Sequence, residues 1–182
     1  DKVIIDNLTP KFTGGLNLGV SWKNLSLFGQ FSFTYGGKIY NLDEQLLRST
    51  ELGYDDVMKN KPDYILDRWT QENQSSRYPR FVVGAHGAQN ETGWNDRPST
   101  LYLFDASFLK LNKLTLSYNL PQNWIQKLGM TSCSVYLSGE NLFTLKNKKL
   151  NVPDPEAALT SGIAQKGVPS PRSFMIGLDL TF

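Results

Sequence analysis

The chain has 182 residues, with 19 basic against 17 acidic side chains, one cysteine (Cys133) and one histidine (His86). So even a charge leaves no basic footprint for nucleic acid, and a lone cysteine excludes an internal disulfide and a thiolate metal cluster. No run approaches the roughly 20 apolar residues of a membrane-crossing helix, and "DKVIIDNLTP" lacks the features of a signal peptide, but alternating membrane strands also average out as polar.

The first element is "KFTGGLNLGVSWKN". Phe12, Gly14, Leu16, Leu18, Val20 and Trp22 take one parity; Lys11, Thr13, Gly15, Asn17, Gly19 and Ser21 take the other. Period-two alternation predicts a strand, because a helix would scatter these apolar residues around its axis. After Lys23-Asn24 the pattern resumes in "LSLFGQFSFTYGG", with Leu25, Leu27, Phe31, Phe33 and Tyr35 on one face and Phe28 as the only large apolar residue opposite. Two strands around a two-residue break predict a tight hairpin.

From about 37 to 100 no period is sustained. "NLDEQLLRSTELGYDDVMKN" accommodates one or two short helices, with Asn41 as N-cap, Leu42, Leu46 and Leu47 on one face, and Gly53 as a stop. The Gly-, Asn- and Ser-rich stretch that follows reads as a long loop, of the kind that is either functional or disordered.

Alternation returns in "SFLKLNKLTLSYNLP". Leu114, Leu116, Tyr118 and Leu120 share one parity and Leu109 and Leu111 the other, which predicts a bulge near Asn112 or protein cover over that half. "QNWIQKLG" reads as one helical turn stopped by Gly129. "TSCSVYLSGEN" is the fourth strand; a second long loop spans about 143–171, and "SFMIGLDLTF" is the fifth strand, ending on Phe182.

Five strands thus alternate short, long, short and long connections, the asymmetry of bacterial outer-membrane barrels. Trp22, Tyr118 and Phe182 fall at the short-connection ends and Phe12, Tyr35 and Phe174 at the long-loop ends, as two interfacial aromatic girdles would. Three expectations follow. Leu16, Leu18, Val20, Leu27, Phe31, Leu116, Val135, Ile176 and Leu178 face outward to lipid. The two short connections lie with Phe182 at one end of the sheet and both long loops at the other. The strands at 11–22 and 174–182 are edges that need partners from elsewhere. A soluble antiparallel sandwich or lipocalin-like barrel alternates in the same way and would bury the apolar parity instead.

No catalytic constellation emerges, so no enzyme activity, cofactor or metal is expected. A single histidine excludes His-pair sites. Asp43-Glu44 and Asp55-Asp56 read as solvated helix faces, since Ca²⁺ needs six or more oxygens. Asn90-Glu91-Thr92 matches a glycosylation sequon and "GGLNLG" lacks the following helix of a phosphate cradle. In the first long loop Trp69, Tyr78, Phe81 and Trp94 offer faces on which sugars or peptide side chains pack, or which pack the loop on itself or on a lid protein.

"NLTPKFTGGLNLGVSWKNLSLFGQFSFTYGGKIYN", "YLFDASFLKLNKLTLSYNLPQNWIQKLGMTSCSVYLSGENLFTL" and "PSPRSFMIGLDLTF" resemble the C-terminal barrel region of a SusC/RagA-type TonB-dependent outer-membrane transporter. The resemblance is most specific in Asp105-Ala106-Ser107-Phe108-Leu109-Lys110-Leu111, Leu120-Pro121 and Gly139-Glu140-Asn141-Leu142-Phe143, and extends to the "RWT…YPR" stretch around Trp69 and Tyr78. It implies an all-β fold: five antiparallel strands of a transmembrane barrel of about 22 strands, with short helices in long extracellular loops. It also implies TonB-coupled import of glycans or peptides, and as partners the remaining barrel and plug, TonB through the plug portion, a SusD-like surface lipoprotein and outer-membrane lipid. The C-terminus is then periplasmic, with Phe182 as assembly signal, the chain is a piece of a larger barrel, and Asp1 falls in an extracellular loop. A passive or structural outer-membrane barrel and a soluble β-rich binding module remain the alternatives.

Overall fold

The computed structural model describes residues 7–48, 51–52, 60–76, 78–80, 82–83, 98–159, 161–165 and 167–182. Gly53, Asp55-Asp56, Phe81, His86, the Asn90-Glu91-Thr92 sequon and Trp94 lie outside the described residues.

One antiparallel sheet dominates, with strand order β1 (Phe12–Trp22), β2 (Leu25–Tyr35), β7 (Phe108–Asn119), β8 (Ser132–Lys146) and β10 (Ser173–Thr181). Consecutive long strands are therefore spatial neighbours, as in a meander. The hairpin closes with Trp22 opposite Leu25, and Lys23 takes a positive φ of 54° at the first turn position. The second short connection carries α2 (Gln122–Ile125) and a single 3₁₀ turn, stopped by Gly129 at φ 71°. The Asn119 N–H donates to the Asn24 carbonyl, and the Thr131 N–H to that of Thr181. Both short connections and the end of β10 thus share one end of the sheet, and both long loops leave from the other. Among the described residues β1 and β10 are its edges.

Register explains the parity flip within β7. Leu116 pairs with Leu27 and Leu137, and Leu114 with Gly29 and Gly139. The ladders then shift at Asn112, so that Leu111 pairs with Phe31 and Phe143, and Leu109 with Phe33 and Leu145. One extra residue returns Leu109 and Leu111 to the apolar face. In β8 the matching irregularity is Asn141, a non-glycine residue at φ 53° whose side-chain amide donates to the Pro171 carbonyl (3.0 Å). That bulge corrects one expected boundary: β8 continues through Phe143 to Lys146, and the second long loop starts at Asn147.

The two long loops meet in a small second layer. A three-stranded sheet orders β6 (Leu103–Asp105), β3 (Lys38–Asn41) and β9 (Ile163–Ala164), with β9 parallel to β3. Ile39, Ala106, Leu150, Val152, Ala158 and Ala164 form its core. Helix α1 (Leu42–Arg48) starts where the Asn41 side chain accepts the Glu44 N–H (3.0 Å), as expected, while its expected stop, Gly53, lies outside the described residues. Helix α3 (Pro155–Leu159) follows Asp154, and β4 (Glu51–Leu52) and β5 (Val82–Val83) make a short parallel pair. None of these short strands was legible as alternation.

The Asp105-Ala106-Ser107 stretch rivets this layer to the sheet. Gly36 and Gly37 both take φ 75°, and a Cβ on Gly37 would stand 2.8 Å from the Leu8 carbonyl oxygen, so only glycine fits. The Gly36 N–H donates to Ser107 Oγ (3.0 Å), the Ala106 N–H to the Gly37 carbonyl, and the Ser107 N–H to Asp105 Oδ1 (2.9 Å). Hydrogen bonds from Ser107 hold the Asp105 carboxyl below the usual carboxylate range.

Candidate functional site

The sheet has two unlike faces. Cross-strand rows on one are Trp22–Leu25–Tyr118–Val135–Leu178 and Val20–Leu27–Leu116–Leu137–Ile176. These side chains are not packed into a core: Val20 is 66% exposed, Leu178 63% and Ile176 80%. Leu16, Leu18, Leu27, Leu116 and Val135 are exposed as well, and Phe31 is half-buried among them. At this exposure the face presents on the order of a thousand Å² of apolar surface, against the few hundred typical of a soluble monomer's largest patch. The opposite face carries Asn17, Gln30, Lys113 and Glu140, with a Ser21–Ser26 hydroxyl pair and a Thr115–Ser138 pair, each at 3.0 Å.

The six expected girdle aromatics all lie on the apolar parity or at its ends. Phe12 stacks on Tyr35 with centroids 5.1 Å apart and meets Phe33 edge-on at 6.3 Å. Lys23 Nζ lies 4.8 Å from the Trp22 ring centroid. Trp22, Tyr118, Phe174 and Phe182 are exposed. Trp124, on α2, is exposed at the same end as Trp22; sequence reading placed it in a helical turn and did not group it with the aromatics.

At the long-loop end the polar face is roofed. Lys110 is 5% exposed, and its ammonium donates to Asp154 Oδ2 and Glu156 Oε2, both at 2.9 Å. Ser170 donates to the same Asp154 oxygen (2.6 Å), and Lys146 to the Val152 carbonyl. Burial opposes ionisation of Asp154, yet the Ser170 hydroxyl and the Lys110 ammonium together hold its carboxyl below the usual range. The 147–172 loop is thereby strapped over β7.

A second cluster corrects the reading of Asp43-Glu44 as a solvated pair. Glu44 is 4% exposed. Its Oε1 accepts from Arg48 Nε (2.5 Å) and from the Tyr64 hydroxyl (2.9 Å), while Oε2 is buried without a hydrogen bond. The Arg48 guanidinium lies 5.3 Å and 5.6 Å from the ring centroids of Tyr64 and Tyr78, which stack on each other at 5.1 Å. Burial first, and the Glu44 carboxylate second, push the Tyr64 hydroxyl up to about 12. Tyr78 thus packs the first loop against itself. Trp69 is tied to it by an N–H···O bond to the Tyr78 carbonyl (2.9 Å) while its ring stays partly exposed. Arg48, four residues after Glu44, was the available sequence signal for this burial. Among the described residues no group of three or more His, Cys, Asp or Glu is placed to hold a metal.

No family model matches the chain. It is similar along its whole length to two curated proteins of Formosa agariphila, TonB-dependent receptor P26 (29% identical) and TonB-dependent receptor P3 (28% identical). It spans 18% and 17% of their lengths. Among solved structures it is similar to the RagAB peptide importer in its closed-closed state, at 30% identity and a TM-score of 0.77 over 98% of this chain and 18% of that one. A structure of the RagAB peptide transporter gives 31% identity and a TM-score of 0.78 with the same coverage. In both its apolar-faced sheet and its loop layer, the chain resembles a region of a SusC/RagA-type TonB-dependent outer-membrane transporter.

Proposed function

We propose that the chain is the C-terminal part of the barrel of a TonB-dependent outer-membrane importer of the SusC/RagA type. Its apolar face meets lipid, its polar face meets the lumen, and the loop layer lies on the extracellular side, with Phe182 at the periplasmic side. The observation that carries this reading is the exposed apolar face backed by a polar one: in lipid the first costs nothing, and in water it would be a severe aggregation liability.

The stagger of the aromatics supports it quantitatively. Leu18, Gly29, Leu114, Gly139 and Phe174 form one hydrogen-bonding row, and Phe12 stands six residues beyond Leu18 toward the long loops. Trp22 and Leu178 share another row, and Phe182 stands four residues beyond Leu178. If each girdle is level, four to six residues of stagger (about 13–20 Å) over four strand spacings (about 19 Å) require a strand tilt of about 35–45°. Transmembrane barrels tilt by that amount. At such a tilt the ten residues from Phe12 to Trp22 rise about 25 Å, the height of the apolar band in outer-membrane barrels.

The edges β1 and β10 then pair with strands from the rest of the barrel, since unpaired backbone in lipid costs several kcal/mol per group. Cargo is an oligopeptide, which the RagAB neighbours favour, or a glycan; a SusD-like lipoprotein closes the extracellular mouth, and TonB drives release through the plug. Uptake of a labelled oligopeptide by cells producing the complete protein tests this. The expected result is uptake that vanishes when TonB is deleted, and uptake indifferent to TonB would leave only a passive barrel.

A further inference from the structure

β10 pairs with β8 only from Ser132 to Glu140, whereas β7 pairs with β8 through Lys146. From 141 to 146, the side of β8 away from β7 has no ladder partner among the described residues. This edge is flanked by the chain's own 167–172 run, whose Pro169 and Pro171 have no N–H to offer it. A cavity of about 250 Å³ opens there, lined among others by Lys110, Asn141, Lys146, Asp154, Ser170 and Arg172. Lys110 and Lys146 stand on the polar face, since they pair with Thr144 and Phe108 in alternation with the exposed Leu109 and Leu145.

The charges in this cavity do not balance. Lys110 is matched by Asp154 and Glu156. Lys146 donates to a neutral carbonyl, and Arg172 has no hydrogen-bond or ion-pair partner among the described residues. Three cations therefore face two carboxylates; Asp154 also attracts Lys146 across the cavity, so the excess positive charge falls on Arg172, beside free strand backbone.

We propose that this cavity binds a carboxylate of an extended peptide cargo, with Lys146 and Arg172 as its cations and the 141–146 edge of β8 pairing with the peptide backbone. The inference deepens the importer reading and rests on it. Guanidinium and ammonium donors suit a carboxylate, and strand addition at a free edge suits a peptide, which a glycan cannot imitate. The carboxylate is supplied either by an acidic side chain or by the C-terminus.

Calorimetry on the complete transporter tests this at low salt with four probes: hexaalanine with a free C-terminus, its amidated form, and amidated forms with one central glutamate or one central lysine. Wild type is expected to bind at least one carboxylate-bearing peptide about tenfold more tightly than the amidated neutral one. Arg172→Gln and Lys146→Gln are expected to erase that preference while leaving the neutral peptide within about twofold. Arg172→Glu, a change at an exposed position, is expected to turn the preference toward a peptide with a central lysine, which a merely structural role would not do. Which probe is preferred identifies the carboxylate's source. Equal binding of all four probes, by wild type and Arg172→Glu alike, overturns the site while TonB-dependent peptide uptake leaves the importer reading intact. Binding confined to a sulfated oligosaccharide overturns the peptide assignment. Failure of wild type to take up any peptide strikes at the importer reading itself.

Discussion

Replacing Leu18 by arginine puts the two-faced sheet to a quantitative test. Leu18 lies six residues from Phe12 and four from Trp22. At a tilt near 40°, those spacings set it about 15 Å from one girdle and about 10 Å from the other, close to the middle of the apolar band. Arginine there is expected to cost about 2–4 kcal/mol. The neighbouring Asn17→Arg points to the opposite face, where Gln30 is its cross-strand partner, and is expected to cost less than about 1 kcal/mol because the lumen is wet. The assay is urea unfolding of the complete transporter in phosphatidylcholine vesicles, read as the heat-modifiable folded fraction on gels. Equal costs at the two positions, or a Leu18→Arg cost below about 0.5 kcal/mol, would refute the assignment of faces, since the depth argument admits neither.

Lys110→Ala leaves the Asp154 and Glu156 carboxylates without their shared ammonium. The local opening free energy of residues 147–165 is expected to fall by about 2–3 kcal/mol, less than for a fully buried pair because Glu156 remains half-exposed, and hydrogen exchange on the complete protein measures it. Because Asp154 is held below its unfolded value near 3.9, its contribution is present above that pH and is lost as pH falls through the folded value. Exchange protection of the same loop is therefore expected to be flat down to about pH 4 and to drop below it, and Asp154→Asn should remove that pH dependence. A Cβ on Gly177 would stand 2.2 Å from Cζ of its cross-strand partner Tyr136. Gly177→Val is expected to destabilise the barrel by about 1–3 kcal/mol, and Tyr136→Ala in the same chain to recover part of that loss, in a double-mutant cycle by urea unfolding.

The long strands were legible because each presents one face to something apolar, and such a face writes period two into the sequence. The bulge at Asn112 was legible for the same reason, as the point where the apolar parity changes. The end of β8 was not. Its irregularity takes in two residues, Asn141 and Leu142, an even number that leaves Leu137, Phe143 and Leu145 on one parity, so Gly139-Glu140-Asn141 looked like a terminus. Strands β3, β6 and β9 hold two to four residues each, too few to display a period. The burial of Glu44 depends on Tyr64, twenty residues away, and on Tyr78, which no helical pattern of α1 could announce. The loop aromatics divide accordingly: Tyr78 is built into the cluster, Trp69 is anchored through its backbone, and Phe81 and Trp94 lie outside the described residues. The Lys110 strap was invisible for a similar reason, because its two carboxylates lie 44 and 46 residues downstream.

Spin labels placed one at a time at residues 174–181 of the complete transporter in lipid vesicles test the lipid-facing assignment most directly. Accessibility to oxygen, which concentrates in the bilayer, is expected to peak at Phe174, Ile176, Leu178 and Leu180. Accessibility to a polar nickel chelate is expected to peak instead at Met175 and Asp179, giving two period-two profiles in opposite phase. Profiles without alternation, or with the oxygen maxima at Met175 and Asp179, would contradict the placement of this sheet in the wall of a membrane barrel.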